Sequence, residues 1–191
     1  MLNVPHTFYI GVMIDSLPDP TMKPVEFDAS ETQSDSCFAD NMVAADVARG
    51  VGRLFFRHGL VMLCEVPLPN GRRADLLAID ARGEIVIVEI KVSRADLLGD
   101  NKWPDYLDYC DRFFWALPAG FDYAPLETEA YMPERSGIIL ADRYDAEILR
   151  PAATHALAPA RRKAETLRIA RLAMQRNMYG ADGELTKLPL G

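Results

Sequence analysis

Ile85-Val86-Ile87-Val88-Glu89-Ile90-Lys91-Val92 is an almost wholly β-branched run that acquires a carboxylate and an amine near its end. Continuous β-branched composition is the pattern of a strand covered on both faces. Side chains alternate along a strand, so Glu89 and Lys91 share a side with Ile85 and Ile87. Two ionisable groups there are costly to bury unless something pairs with them. An ion pair, a metal ion or a phosphate would each serve.

The preceding segment, Arg73-Ala74-Asp75-Leu76-Leu77-Ala78-Ile79, reads as a second strand, joined to the first through Asp80-Ala81-Arg82-Gly83-Glu84. That connector has the Asp and Gly of a tight hairpin. A turn centred on Arg82 makes the numbers of paired residues sum to 164, so Ile79 faces Ile85, Leu77 faces Ile87 and Asp75 faces Glu89. A slip of one residue would break this alignment. With it, two carboxylates lie about 5 Å apart at their β-carbons. At an effective dielectric of 20 they repel by roughly 3 kcal/mol. A divalent cation with oxygen ligands is one natural counter-charge, and Lys91 alone is the other.

Asp75 followed by Glu89-x-Lys91 after a hairpin resembles the signature of the PD-(D/E)xK nuclease superfamily. The longer phrases Val66-Pro67-Leu68, Arg72-Arg73-Ala74-Asp75, Ile87-Val88-Glu89-Ile90-Lys91 and Lys102-Trp103-Pro104-Asp105-Tyr106 are similar to one branch, the MmcB-like DNA repair proteins. The likeness spans roughly residues 40 to 178 and includes Tyr109-Cys110-Asp111-Arg112-Phe113 and Leu157-Ala158-Pro159-Ala160-Arg161-Arg162-Lys163. It implies an α/β restriction-endonuclease-like fold with a mixed central sheet flanked by helices, an αβββαβ core and an extra C-terminal helix. It also implies DNA as partner, with repair proteins besides, and Mg²⁺ or Mn²⁺ held by Asp75, Glu89 and the Ile90 carbonyl. Lys91 would orient the attacking water or neutralise developing charge. Two departures stand out. The proline of the superfamily's name is Ala74, and the first helix offers Asp46 but no Glu as a further ligand.

The chain of 191 residues suits one domain with a proper core. No window approaches a membrane span. Met1 to Ile14 lacks the basic flank of a secretory signal, and Met13 or Met22 are equally plausible starts. Cys37, Cys64 and Cys110 are odd in number and widely spaced, as expected of reduced thiols in a cytoplasm. The net charge of −7 sits mostly at the front, where residues 1–40 hold seven acids against Lys23, leaving residues 41–191 close to neutral. Residues 1–39 therefore read as a disordered acidic arm, residues 40–180 as the nuclease-like domain and 181–191 as a tail.

Val43, Val47, Val51 and Leu54 recur at helical spacing over about Asp40 to Arg57, closed by Gly59. Strands follow at Leu60 to Val66, at the Asp75 run and at the Glu89 run. Ser93 caps a helix, Pro104 restarts a helical stretch to Tyr109, and Arg112 to Leu117 is a fourth strand. Short strands are expected at Gly137 to Ala141 and Ala146 to Arg150. Pro159 opens a final helix that Gly180 ends.

Other candidates concern DNA contact. Lys102, Tyr106 and Tyr109 share a helical face, so Lys102 could touch a phosphate while Trp103 and the tyrosines either stack on bases or fill the core. Arg72 and Arg73 precede Asp75 and could grip the backbone or lie in solvent. Arg49, Arg53 and Arg57 form one stripe. Arg161, Arg162, Lys163, Arg168, Arg171 and Arg176 against Glu165 form another, a phosphate track or a solvated face. Glu65 could supplement a metal shell. His6, His58 and His155 show no ligand spacing. No nucleophile–base grouping and no Gly-rich nucleotide loop is present. Three functions remain open: a metal-dependent DNA hydrolase, a DNA-binding module of the same fold that cleaves nothing, and a repair partner whose acidic arm contacts protein.

Overall fold

The computed structural model describes residues 43–181 and Gly183. The acidic arm, Cys37, both alternative starts and most of the C-terminal tail lie outside the described residues. Helix α1 (Ala44–Arg57) is followed by β1 (Leu60–Pro67), β2 (Arg73–Asp80) and β3 (Ile85–Ile90). Helix α2 (Arg94–Gly99) and a 3₁₀ segment (Trp103–Tyr109) lead to β4 (Arg112–Pro118). Then come β5 (Ser136–Ala141), β6 (Ala146–Arg150) and α3 (Pro159–Ala181). The strands form one mixed six-stranded sheet in chain order. The three pairings β1–β2, β2–β3 and β5–β6 are antiparallel, while β3–β4 and β4–β5 are parallel.

The β2–β3 hairpin has the register expected from the turn, with Ile79 opposite Ile85, Leu77 opposite Ile87 and Leu76 opposite Val88. Gly83 makes the turn possible at φ +82°. Asp80 completes it by accepting from the backbone N–H groups of Arg82 and Glu84 at 2.8 Å each. All six residues of β3 are buried, as a strand covered on both faces requires.

Alternation divides the core in two. Leu76, Ala78, Val86, Val88 and Phe114 meet Val47, Val51, Leu54 and Phe55 of α1. On the other face Leu77, Ile87, Phe113 and Trp115 meet the 3₁₀ segment and Ile169 of α3. There Trp103 lies 5.3 Å from Phe113 and 5.5 Å from Trp115, and Tyr106 stacks on Phe113 at 6.1 Å. Trp103, Tyr106 and Tyr109 are thus not available to stack on bases. They are buried in the core, where their apolar area stabilises the sheet.

Two devices place the helices. Gly50 brings α1 against the β5–β6 turn, where a Cβ would collide with the carbonyls of Asp142 and Asp145. Arg53 then donates to the carbonyls of Arg143 (3.1 Å) and Tyr144 (2.7 Å), and Arg57 pairs with Asp145. On the opposite face, buried Asp111 accepts from the backbone N–H of Ile85 and of Leu157 at 2.8 Å each. Arg162 of α3 adds a forked contact to Asp111, at 2.7 and 2.5 Å, and reaches the Gly83 carbonyl at 2.6 Å. One carboxylate thus ties β3, the approach to α3 and α3 itself. The final helix passes through Gly180 to Ala181, one residue beyond the expected stop. Strand β3 ends at Ile90, short of Val92.

Burial acts to raise the Asp111 carboxyl, but Arg162 and the two N–H groups outweigh it and hold the group below its ordinary value. A depressed carboxyl stabilises the fold above the ordinary carboxylate range and loses that contribution as pH falls through the folded value. Arg162→Ala should therefore cost about 3 kcal/mol in urea unfolding at neutral pH, less in acid, whereas Arg171→Ala should change stability by less than about 0.5 kcal/mol.

Candidate functional site

At the C-terminal end of β3 the hairpin ladder gives way to side chains. Its last backbone pair is Leu76 with Val88. Beyond it the Ile90 N–H donates to Asp75 Oδ2 at 2.8 Å, and the Asp75 N–H donates to Glu89 Oε1 at 3.3 Å. Each carboxylate occupies a place that a backbone carbonyl would otherwise fill. The sequence dictates this locally, because the 164 register puts both acids at the one point where the two strands stop pairing.

Glu89 is 4% exposed and Asp75 is half-buried. Burial, and next the nearby Asp75 charge, push the Glu89 carboxyl up to about 8. Burial also raises Asp75, opposed by the Ile90 N–H and by Lys91. Lys91 is the buried cation of the site, with Nζ at 2.8 Å from Asp100, 3.8 Å from Glu89 and 3.9 Å from Asp96. Burial alone would lower its pKa, but these three carboxylates outweigh that and raise it, so Lys91 is charged at neutral pH. Trp115 lies beneath it, 5.9 Å from ring centroid to Nζ. The Tyr106 hydroxyl donates to the Arg73 carbonyl at 3.1 Å, and burial followed by Glu89, Asp100 and Asp75 raises its pKa. Tyr106 therefore stands near these acids through its hydroxyl, while its ring packs in the core on Phe113.

Asp75, Glu89, Ile90 and Lys91 open onto a cavity of about 660 Å³ between the strand ends and α1. Its opposite wall is Ala44, Ala45 and Ala48, with Arg49 at the rim. The first helix thus presents methyl groups to the cavity, and no acid. Asp46 faces Arg49 (3.3 Å) and Arg143 (3.6 Å) instead. Among the described residues no group of three or more His, Cys, Asp or Glu has the arrangement of a metal site. Glu65 lines the cavity too, but its carboxylate pairs with Arg73 at 2.5 Å. The Glu65 backbone is left-handed, φ +51°, at the residue skipped between the Cys64–Leu76 and Val66–Ala74 pairs. This is a strained position for a residue with a side chain.

The remaining basic candidates are dispersed. Arg72 makes a fork to Asp105 at 2.9 and 2.7 Å. Arg168 pairs with Glu165 (2.8 and 2.6 Å) and donates to the Pro67 carbonyl at 2.6 Å. Arg176 donates to the carbonyls of Cys64 and Glu65 at 2.5 and 2.8 Å. Arg161 lies over the Tyr109 ring. Most of the final helix's arginines therefore fasten it to the body of the fold and cover the outer carbonyls of edge strand β1. Arg171, Lys163 and Lys102 are exposed and line no part of the cavity at the strand ends.

Sequence reasoning missed Asp100 and the site role of Asp96. Their one legible signal is acids spaced i, i+4 just after a buried Lys. Cys64 is free and exposed, and Cys110 is free and buried. No described helix is long and apolar enough to cross a membrane.

Comparison with curated proteins finds no match. Among solved structures, the chain is similar to the SPO1766 protein of unknown function from Silicibacter pomeroyi, at 42% identity and a TM-score of 0.64. The match covers 73% of this chain and 92% of that one. The family described as DNA repair protein MmcB-like matches residues 30–183, a span holding the hairpin, the cavity and α3. On that match the chain belongs to the MmcB-like family of DNA repair proteins.

Proposed function

We propose that this DNA repair protein carries a PD-(D/E)xK nuclease-like site in a restriction-endonuclease-like fold and hydrolyses DNA phosphodiester bonds with the help of Mg²⁺ or Mn²⁺. The observation that carries this reading is the juxtaposition of Asp75, Glu89 and Lys91 at one strand end, facing an open cavity. The element order of a helix, three strands, a helix and a strand supports it.

The donor set suits a hard cation. Asp75, Glu89 and the Ile90 carbonyl supply oxygens, and Mg²⁺ characteristically binds through one or two carboxylates while keeping several waters. The two acids oppose each other's ionisation, a penalty that a cation would relieve. Such an ion, when bound, polarises a phosphate and acidifies a water. The chain's own groups do the rest. Asp75 and Glu89 hold the ion, and the backbone N–H groups of Ile90 and Asp75 fix their orientation. Lys91, locked by Asp100, offsets the negative charge that grows on the phosphate. A second reading, a DNA-binding module that cleaves nothing, is favoured by the alanine wall of α1 in place of a third acid.

The two readings separate on supercoiled, branched, flapped and single-stranded DNA incubated with the full chain and Mg²⁺ or Mn²⁺. Cleavage by the wild type, reduced at least about 100-fold in Glu89→Ala and Lys91→Ala, is the expected result. Substrates that are shifted in a gel but left intact by wild type and variants alike would establish the binding module. A second measurement needs no turnover. Without divalent ions the folded chain keeps a proton on Glu89 up to about pH 8, which the unfolded chain loses near its ordinary value of 4.5. Stability should therefore fall between those values as pH rises. Glu89→Gln should remove that slope and be more stable at pH 8 by a few kcal/mol, on the order of 2–4. Mn²⁺ should raise the Tm of the wild type and leave that of Glu89→Gln unchanged.

A further inference from the structure

We infer that the cavity beside Glu89 receives one unpaired nucleotide, with its base against the apolar wall and its phosphate towards Arg49, so that this protein prefers single-stranded or flapped DNA to intact duplex. The inference rests on the reading of this cavity as the DNA site.

The cavity's shape and lining exceed what a phosphodiester needs. A backbone phosphate asks for cations and N–H groups on an open groove. Here the space is about 660 Å³, inside the roughly 300–1,000 Å³ span of pockets that enclose small organic ligands. Much of its wall is apolar: Ala44, Ala45 and Ala48 from α1, Met62 from β1, and Leu76 and Ile90 from the central strands. Gly52 leaves room for Met62, since a Cβ there would stand 2.8 Å from the thioether methyl. A polarisable thioether above a row of methyls suits the face of an aromatic base. Apolar side chains of this kind hold bases that have left a stack, and extrusion costs least for a base already unpaired.

The polar side of the same cavity sets two cations, Arg49 and Lys91, among the carboxylates of Glu65, Asp75, Glu89 and Asp96. Arg49 stands at the rim with its side chain 56% exposed, held by a 3.3 Å contact to Asp46. Its stripe partners Arg53 and Arg57 are engaged by the β5–β6 turn, and Arg49 is the member that reaches the cavity. Arg49 at the mouth is the exposed cation that an incoming phosphate meets first, while Lys91 within is buried and held by Asp100. A fully paired strand keeps its bases stacked and would leave the apolar wall uncovered.

The test is a binding titration in EDTA with the full-length chain. The probes are fluorescein-labelled oligonucleotides of one sequence, single-stranded, blunt duplex and flapped, together with 2-aminopurine at the unpaired position. Wild type should bind the single-stranded and flapped forms about tenfold tighter than blunt duplex at equal salt, with a change in 2-aminopurine emission on binding. Ala48→Leu should bring single-stranded and flapped affinity down to that of duplex and abolish the emission change. Ala45→Phe, at an exposed position that tolerates a larger side chain without loss of the fold, should do the same. Arg49→Gln should weaken single-strand binding and reduce its salt slope by about one. Equal wild-type affinity for all forms, absence of DNA binding, or a preference that survives both cavity-filling substitutions overturns the inference. If the preference holds but Mg²⁺ or Mn²⁺ supports no cleavage, the hydrolytic reading fails and this one stands.

Discussion

The register of the β2–β3 hairpin is the constraint on which the site depends. A side-chain period of two means that one residue of slippage would send Asp75 to the opposite face and leave Glu89 alone among Ile85 and Ile87. The turn prevents this through Gly83 at positive φ and through Asp80, which captures the N–H groups of Arg82 and Glu84. Because the pairing stops at Leu76 and Val88, the next residue on each strand can offer a carboxylate to the other's backbone. The acids are thus oriented by main-chain groups that no rotamer change can remove.

This arrangement works against the stability of the isolated chain. A carboxyl pushed up to about 8 is one that the fold does not welcome in its charged form. Lys91 does not resolve the conflict, since its closest contact is Asp100 at 2.8 Å rather than Glu89 at 3.8 Å. Asp111 is the contrast. It is equally buried, yet it has two N–H donors and an arginine fork, and its pKa falls instead of rising. One carboxylate is fully partnered within the fold, and the other is left with its charged form opposed. That difference in satisfaction, more than burial itself, is what makes Glu89 a candidate functional group.

Arginine-rich helices invite a reading as nucleic-acid tracks, and here most of those cations act within the fold. Arg53 and Arg57 hold α1 over the strand ends. Arg162, Arg168 and Arg176 hold α3 across the sheet and shield the outer carbonyls of β1. The cationic groups left beside the candidate chemistry are few, Lys91 inside and Arg49 at the rim.

Strands β2 and β3, their hairpin register and the facing acids were legible from residues 73–92 because they follow from local rules of alternation, turn chemistry and propensity. The boundaries drifted by a residue or two where ends are set by neighbours, as at Ile90 and Ala181. What the sequence could not disclose were the partners of long side chains. Arg168 finds a carbonyl 101 residues away in sequence, Arg162 one 79 away, and Lys91 finds an acid beyond a whole helix. Trp103, Tyr106 and Tyr109 suited core packing, the commoner role of such aromatics, and also base stacking until the sheet beneath them was in place. By itself the sequence determined that two carboxylates and an amine meet at one strand end. Only the tertiary structure decided that alanines and one arginine face them across a cavity, because that wall comes from α1, whose position depends on contacts with the distant β5–β6 turn.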